Sequence, residues 1–378
     1  MTVSDRIRRL HADALVIDGH VHPALKTLLF RSNLGKAHRS GGTFNPFTTR
    51  VDLPKTIAGG VDALVAATYL PEPGLLADCT PLRLLARIAP RRIRRLLTGN
   101  ALAHTLALLD DFESALAWAN AAGRELARPV RSTDELKRAV DDGVIAVVHA
   151  VEGGHSLGGR VESIAALAER GVAMLGLAHF YSNEVAAPVH GIPPSMQRFG
   201  CFRTPKDLSK GLGPIGPQVV EEMVRLGMVI DLTHCTPKAR DEVYALVGRR
   251  RPLVFSHVGV QPLADDPMSP TEREIRTISD TGGVIGVIFM NEWLGALSHG
   301  NGLDAVVTTV RQIIAVGGID TVAIGSDLDG FTDPPDDLPD IAALPRLTEA
   351  LALAGLADSE IEKVLGRNWE RVLRAGWR

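Results

Sequence analysis

Short runs of consecutive apolar residues recur along the chain, and segments with helical spacing separate most of them. Eight of these runs predict strands, at residues 14–18, 62–68, 144–151, 172–178, 228–233, 252–256, 283–289 and 321–326. Continuous apolar runs, rather than alternating ones, are typical of strands that are buried on both faces in a parallel sheet covered by helices.

The segments between the strands carry apolar residues at helical spacing, at 161–170, 216–226, 237–248, 271–280 and 303–316. A glycine follows several of them, as expected where a helix ends before the next strand: Gly171, Gly227, Gly282 and Gly317. Repeated strand–helix units without a glycine-rich phosphate loop predict an α/β fold, a (β/α)8 TIM-type barrel rather than a doubly wound sheet.

Two stretches depart from this repeat, and we interpret them as insertions in a single domain over residues 1–378. Residues 71–140, after the second predicted strand, should be mostly helical and include six arginines from Arg83 to Arg95. We interpret these arginines as a solvated helix face, although a basic patch for a membrane or polyanion is the alternative. Residues 187–212, rich in Pro and Gly, lie on the rim where a loop would cover a substrate pocket, and residues 344–376 predict two helices that close the barrel.

Composition narrows the class of protein. Apolar residues make up 45% of the chain and the net charge is −3 without a charged tail, which favours a globular protein and gives no indication of a nucleic-acid partner. The cysteines, Cys79, Cys201 and Cys235, are scattered and form no CxxC pair, so neither a disulfide framework nor a thiolate zinc site is predicted. No apolar stretch of about 20 residues occurs, and the first residues lack a signal-peptide run. We therefore expect no membrane span and a cytoplasmic enzyme.

Ligand-type side chains stand at or just past the predicted strands. His20 and His22 follow the first strand with one residue between them, so both should face the same side and suit zinc, although a hydrogen-bonded histidine pair is the alternative. Because the carboxyl ends of barrel strands meet at one rim, residues far apart in sequence should converge there.

Glu152 is the residue that could join two metal ions. It ends the third strand before Gly153 and Gly154, and the two oxygens of a carboxylate can bridge two metals. His234 and His257 close the fifth and sixth strands and would hold the second metal with it. The alternative for each is a structural role at a strand end.

Asp327, at the end of the eighth strand, is the candidate acid/base, because a carboxylate there can take a proton from a metal-activated water and deliver one to a leaving nitrogen. His179, at the end of the fourth strand, is either a ligand or, as we favour, polarises the substrate. We interpret Asp329 as a loop cap and both His149 and His155 as structural or supporting.

The motifs of nucleotide-binding enzymes are missing from the sequence. It contains no P-loop and no GxGxxG after a strand, so nucleotide phosphates have no support.

The chain resembles the membrane (renal-type) dipeptidase family of binuclear zinc peptidases. The resemblance runs from residue 16 to about 372 through VIDGHVHP, EGGHSLGG, LGLAH, LGMVIDLTH, PLVFSH, GSDLDG and KVLGRNWERV. It implies two Zn²⁺ per chain bridged by Glu152, one with His20 and the residue at 22, the other with His234 and His257. It also implies that His179 stabilises the tetrahedral intermediate, that Asp327 is the acid/base, and that the chain forms a homodimer.

Two departures from the family pattern affect the site. His22 stands where the family usually has Asp, which replaces an anionic ligand by a neutral one. Met268 stands where the family usually has an Arg that would clamp the substrate's terminal carboxylate, a role Met cannot fill. Arg198 and Arg203 are candidate substitutes.

The function predicted from the sequence is zinc-dependent hydrolysis of a dipeptide or dipeptide-like small amide by metal-bound hydroxide. The alternative on the same site is a non-dipeptide amide, an N-acyl amino acid or a lactone. A barrel retained as a binding or scaffold protein is a third reading, but a ligating residue stands at every ligand position.

Overall fold

The strands form one parallel sheet in the computed structural model, which describes residues 2–40, 45, 47–88, 91–121, 123–190, 202, 204–295 and 302–377. The strands of this part are β1 (Ile17–Val21), β2 (Ala63–Tyr69), β3 (Ala127–Val130), β4 (Ile145–Glu152), β5 (Val172–Gly176), β6 (Val229–Asp231), β7 (Leu253–Val258), β8 (Val284–Val287) and β9 (Val322–Ile324). Eight of them follow the order β1-β2-β4-β5-β6-β7-β8-β9, and β3 pairs beside β4.

The sheet closes on itself just past the carboxyl ends of β1 and β9. The backbone N–H of Asp327 donates to the carbonyl of His20, and that of His22 donates to the carbonyl of Leu328, each at 2.9 Å. Val21 and Leu328 form a parallel bridge there. The predicted (β/α)8 barrel is therefore confirmed, and its closure brings two candidate ligands beside the candidate acid/base.

All eight predicted strands are present, and one further strand was missed. The prediction for the first strand was three residues early, so His20 lies inside β1 rather than past it. The short β3 contains Arg128 and Pro129, and its centre is only half-buried, so it lacks the apolar run that marked the others. It pairs with the amino-terminal half of β4, while β5 pairs with the carboxyl-terminal half.

Helices cover the outside of the barrel. They are α1 (Asp5–Asp13), α2 (Pro23–Phe30), α3 (Leu53–Ala58), α4 (Gly74–Asp78), α5 (Thr80–Ile88), α6 (Arg91–Leu96), α7 (Ala101–Asn120), α8 (Thr133–Asp141), α9 (Ser163–Glu169), α10 (Gly216–Leu226), α11 (Pro237–Val247), α12 (Glu272–Asp280), α13 (Gly302–Gly317), α14 (Leu344–Leu353), α15 (Asp358–Glu362) and α16 (Asn368–Gly376). Their ends follow local chemistry: Thr271 and Glu274 form a capping box on α12, and Gly227 ends α10 in the left-handed region at φ 73°.

The stretch 71–140 contains α4 to α7, β3 and α8, so it is largely helical. Residues 191–201 and 203 of the second predicted insertion, which include Arg198 and Arg203, lie outside the described residues. Cys79 is disulfide-bonded, which the scattered cysteines did not predict, whereas Cys235 is a free, buried thiol.

The end of the barrel opposite the rim is filled from the C-terminus. Trp369, on α16, is fully buried and donates its indole N–H to the carbonyl of Ile324 at 2.7 Å. A Cβ on Gly19 would lie 2.1 Å from this indole, so β1 needs glycine there to pass over it. The segment 344–376 thus closes the barrel as predicted, but with three α-helices instead of two.

Within the described residues, none of the helices combines the length and the apolarity that crossing a membrane requires.

Candidate metal centre

The carboxyl-terminal rim of the barrel gathers five buried side chains from four strands and the loops that follow them. Each is at most 3% exposed: His20, His22, Glu152, His234 and His257. Their nitrogen and oxygen atoms fall into two overlapping groups that could hold a metal ion, with all candidate ligand atoms of a group within 4.8 Å of one another. One group is His20, His22 and Glu152, and the other is Glu152, His234 and His257.

The first histidine pair lies at the carboxyl end of β1. His20 belongs to the strand and His22 is the first residue after it, and their Nε2 atoms lie 3.0 Å apart. Nε2 of His20 is 3.5 Å from Oε1 of Glu152, and Nε2 of His22 is 3.4 Å from Oε2. Both imidazoles therefore direct a ring nitrogen at one carboxylate.

The second pair joins the ends of β6 and β7. Nε2 of His234 lies 3.2 Å from Nε2 of His257, and these atoms lie 3.3 Å and 3.6 Å from Oε1 of Glu152. His234 has a φ of 68°, in the left-handed region that a non-glycine residue rarely adopts. Such strain is found where the surrounding structure holds a side chain in a particular place, often at functional sites.

Burial and neighbouring charges shift the pKa values of these groups. Burial alone would raise the pKa of Glu152, but the neighbouring His179 and His22 hold it well below its usual range. Burial and the adjacent His20 imidazole lower the pKa of His257 well below its ordinary value. For His22, burial acts to lower the pKa, but Glu152 and Asp327 outweigh it and raise the pKa.

The donor set suits divalent cations. Imidazole nitrogens 3.0–3.2 Å apart around a carboxylate cannot all be protonated without repulsion, whereas their lone pairs can share a cation. The buried Nδ1 atoms of His20, His22 and His234 have no hydrogen-bond partner among the described residues. No hydrogen bond at Nδ1 therefore fixes the tautomer of these three rings.

His257 is oriented by a relay that the sequence analysis did not identify. The Ser256 hydroxyl donates to Oδ2 of Asp231 at 2.6 Å, so the Ser256 oxygen accepts from Nδ1 of His257 at 2.8 Å. The Nε2 lone pair of His257 is thereby left to face Glu152. Asp231 also forms a possible ligand group with His20 and His257, but both its oxygens already accept hydrogen bonds.

Asp327 lies beside the first pair. Its Oδ1 is 3.2 Å from Nε2 of His22, is buried and has no hydrogen-bond partner among the described residues. The residue has a φ of 55°, and the Thr332 hydroxyl donates to its carbonyl. This carboxylate oxygen is free to face a reacting group.

His179 contacts the centre from the loop after β5. Its Nε2 lies 3.5 Å from Oε2 of Glu152, and its Nδ1 lies 3.2 Å from Oε2 of Glu72. Burial lowers the pKa of His179, while Glu152 and Glu72 act to raise it. Glu72 was missed by the sequence analysis, because it follows no ligand pattern beyond its place just after β2.

The remaining polar candidates are structural contacts. His149 points away from the centre and meets Glu113 of α7 at 2.8 Å. His155 bonds the carbonyl of Leu70 at 2.7 Å, and the Asp329 carboxylate caps a loop by accepting from the N–H groups of Arg50 and Val51.

The side chain of Met268 belongs to the protein interior. It is fully buried in the hydrophobic core next to Arg240, another fully buried residue. The Arg240 guanidinium donates to the Glu274 carboxylate at 3.1 Å and to the carbonyls of Pro267 and Met268. This position therefore packs the loop after β7.

A family model matches nearly the whole chain. The profile of "Membrane dipeptidase (Peptidase family M19)" matches residues 4–376. An uncharacterized protein in the pqqA 5' region of Klebsiella pneumoniae is 34% identical over 263 residues, which are 68% of this chain and 92% of that protein. An uncharacterized dipeptidase of Schizosaccharomyces pombe is 31% identical over 230 residues, 60% of this chain and 52% of that protein.

Two solved structures share the fold. A metallopeptidase from Rhodobacter sphaeroides, liganded with a phosphinate mimic of the dipeptide L-Ala-D-Ala, superposes with a TM-score of 0.76 at 23% identity, covering 97% of this chain and 100% of that one. The probable dipeptidase PvdM from Pseudomonas aeruginosa has a TM-score of 0.76 at 21% identity, covering 98% and 97%.

Proposed function

Because the chain belongs to the membrane dipeptidase family, we propose that it hydrolyses a dipeptide or a dipeptide-like small amide at a centre of two zinc ions. The observation that carries this proposal is the position of Glu152, whose carboxylate stands between two imidazole pairs at 3.3–3.6 Å. Glu152 is the one residue that these two groups of candidate metal ligands share.

The proposed ligands follow from that geometry. His20, His22 and Glu152 would hold one ion, and Glu152, His234 and His257 would hold the other. Bound divalent ions supply an activated water near neutral pH and polarise the carbonyl that it attacks. His22, where the family has an acid, leaves the centre with one negative charge fewer.

Asp327 is the proposed acid/base. Its unpartnered Oδ1, 3.2 Å from Nε2 of His22, would accept the proton of the attacking water and return it to the leaving nitrogen.

His179 is the proposed stabiliser of the oxygen that becomes negative. In the contact with Glu72, the proton lies on Nδ1, so Nε2 can donate to a substrate only as part of an imidazolium. Burial acts to raise the pKa of Glu72, but His179 and His155 hold it at about 2. This carboxylate acts to raise the pKa of His179 towards the charged form, against the burial that lowers it. As a neutral ring, His179 would instead direct a lone pair at the centre and act as a ligand.

Lys206 is the proposed partner of the substrate's terminal carboxylate, in place of the family's Arg. It donates to the carbonyl of Phe180 and lies over the Tyr181 ring at 4.3 Å, while the Phe180 ring packs on His179 at 3.6 Å between centroids. An ammonium has three donors, so the bond to Phe180 leaves others for a ligand.

Asp327→Asn tests the mechanism. Turnover should fall by about 10²- to 10⁴-fold, because the amide cannot accept and return the proton, while metal content measured by plasma mass spectrometry stays at the wild-type level. Retained turnover would remove Asp327 from the reaction.

A substrate panel tests the bond that is cleaved. It would compare L,L and L,D dipeptides, including L-Ala-D-Ala because the Rhodobacter sphaeroides relative holds a mimic of it, with C-terminal dipeptide amides, N-acyl amino acids and lactones. Lys206→Met should raise KM for free dipeptides and leave KM for the amides unchanged, whereas Lys210→Met, an exposed lysine of the same loop, should change neither.

If Lys206→Met leaves every KM unchanged, the buried Met268 favours the second candidate function. This function is the hydrolysis of a non-dipeptide amide, an N-acyl amino acid or a lactone. A protein that retains less than one metal per chain and hydrolyses none of the panel would instead be a scaffold.

Two sequence-based expectations stay predictions. The homodimer is one. The cytoplasmic location is the other, and the disulfide of Cys79 weighs against it because disulfides persist mainly in oxidising compartments.

A further inference from the structure

Helices α5 and α6 present cationic and aliphatic side chains together. From residue 79 to 109 the sequence has six arginines and no Asp or Glu, in a chain whose net charge is −3. Leu84 is 55% exposed and Ile88 82% exposed, one turn apart on the same side of α5. We call the following exposed side chains the α5 surface: Leu82, Arg83, Leu84, Arg87, Ile88 and Arg94.

The arginines of the α5 surface are not neutralised locally. Among the described residues, Arg83, Arg87 and Arg94 have no carboxylate within salt-bridge distance, and Arg83 contacts only the Thr80 hydroxyl of its own helix, at 3.5 Å. Elsewhere, exposed arginines commonly pair with carboxylates, as in Arg250 with Glu221 at 2.7 Å and Arg273 with Asp241 at 2.7 Å. The positive charge here is therefore available to an external partner.

The chemistry of the α5 surface selects among partners. A second copy of the chain placed symmetrically on it would bring like charges together. Nucleic acid is disfavoured because residues 79–109 contain no Phe, Tyr or Trp on which a base could stack. A bilayer with anionic lipids offers both negative headgroups for the arginines and an apolar boundary for Leu84 and Ile88.

We propose that the α5 surface docks the protein peripherally on an anionic lipid bilayer. Leu84 and Ile88 enter the boundary between headgroups and acyl chains, and Arg83, Arg87 and Arg94 contact the headgroup phosphates. The docked protein lies on the membrane and does not span it.

Docking would bring the rim of the barrel near the lipid. Asp78, the last residue of α4 and two residues before α5, accepts from the Tyr181 hydroxyl at 3.2 Å. The Tyr181 N–H donates to Glu72, which holds His179. The amino-terminal end of α5 thus lies near the end of the barrel that carries the metal centre.

Vesicle flotation with the full-length protein tests the docking. The vesicles are phosphatidylcholine alone or phosphatidylcholine mixed with phosphatidylglycerol, and we expect binding only to the mixture and its loss at high salt. Each basic residue near an anionic surface contributes about five-fold in partitioning, so Arg83→Glu/Arg87→Glu/Arg94→Glu should lower the partition coefficient by at least about 100-fold. Leu84→Ser/Ile88→Ser should lower it by about ten-fold or more.

Matched control variants make the same change of charge or polarity at positions outside the α5 surface. Arg9→Glu/Arg124→Glu/Arg311→Glu changes three exposed arginines with no ion pair among the described residues, and Ile57→Ser/Leu353→Ser changes two exposed aliphatic residues. Both should bind like the wild type, and all variants should retain the wild-type melting temperature.

Several outcomes would overturn the proposal. These are absence of binding to the mixed vesicles, equal binding to phosphatidylcholine alone, or equal losses in the matched variants. Binding to heparin or an oligonucleotide without binding to vesicles would assign the α5 surface to polyanions. A shift from dimer to monomer in Leu84→Ser/Ile88→Ser without vesicle binding by the wild type would assign it to a subunit interface.

Discussion

The carboxylate of Glu72 lies 3.2 Å from Nδ1 of His179, on the side of the imidazole that faces away from Glu152. The same carboxylate accepts from the backbone N–H groups of Phe180 and Tyr181 and from the hydroxyl of Tyr69. Glu72 is therefore fixed by three donors, and it fixes in turn the ring orientation and the Nδ1 proton of His179.

Glu72→Gln should lower kcat by about 10- to 100-fold with little change in KM, because a neutral amide cannot stabilise the imidazolium that donates to the substrate. Metal content should stay at the wild-type level. Glu113→Gln is the control, since Glu113 contacts His149 in the same way outside the barrel and should leave kcat unchanged. Loss of metal in Glu72→Gln would show that His179 is a ligand rather than an oxyanion donor.

Glu152→Gln should reduce bound metal from two ions per chain to one or none, because one amide oxygen replaces the two carboxylate oxygens between the histidine pairs. Plasma mass spectrometry of the purified protein measures the ratio, and Glu113→Gln should retain both ions. Full occupancy in Glu152→Gln would refute the bridging role.

Ser256→Ala should weaken metal binding by about 10- to 100-fold, because it breaks the relay that orients His257 through Asp231. Competition with a chromogenic chelator measures the affinity. Ser163→Ala is the matched control. It removes the buried hydroxyl of Ser163, the first residue of α9, which donates to the carbonyl of Leu157. Equal affinities in the two variants would show that the relay is dispensable.

Met268→Arg should destabilise the protein by about 3–5 kcal/mol rather than restore a carboxylate clamp. The added guanidinium would be buried beside that of Arg240, whose partner Glu274 is already engaged. Met268→Leu, which keeps size and polarity, should lower the free energy of unfolding by less than about 1.5 kcal/mol. A gain in kcat/KM for dipeptides in Met268→Arg would contradict the buried position.

Stability should fall in acid partly through Glu113. Burial acts to raise its pKa, but the hydrogen bonds from His149 and Arg170 outweigh it and hold the pKa at about 2. This pKa is below 4.5, the value for an ordinary Glu. Between these two pH values, the unfolded state therefore binds more protons than the folded state. The contribution of the Glu113 carboxylate to the free energy of unfolding is complete above pH about 4.5 and is lost as the pH falls towards about 2. Glu113→Gln should flatten the melting temperature against pH in this window; an unchanged slope would assign the acid sensitivity to other carboxylates.

The sequence by itself determined the barrel and most of the proposed centre. The apolar runs are long enough to be strands, and each is followed by a helix-forming segment, so the parallel fold follows from local periodicity. The spacing of His20 and His22 by two positions predicted that both point to one side, and Glu152 and His257 lie at strand ends that any such barrel brings to one rim.

Only the tertiary structure decided which residues support that centre. Glu72 and His179 are 107 positions apart, and Asp231 reaches His257 through Ser256 across two strands. The burial of Met268 and the joint exposure of Leu84, Ile88 and the arginines on α5 likewise depend on how the loops pack. Periodicity encodes where a strand or helix forms, because each residue's backbone geometry is local; the path of a loop and the partner of a buried polar atom are set by contacts between segments distant in the chain.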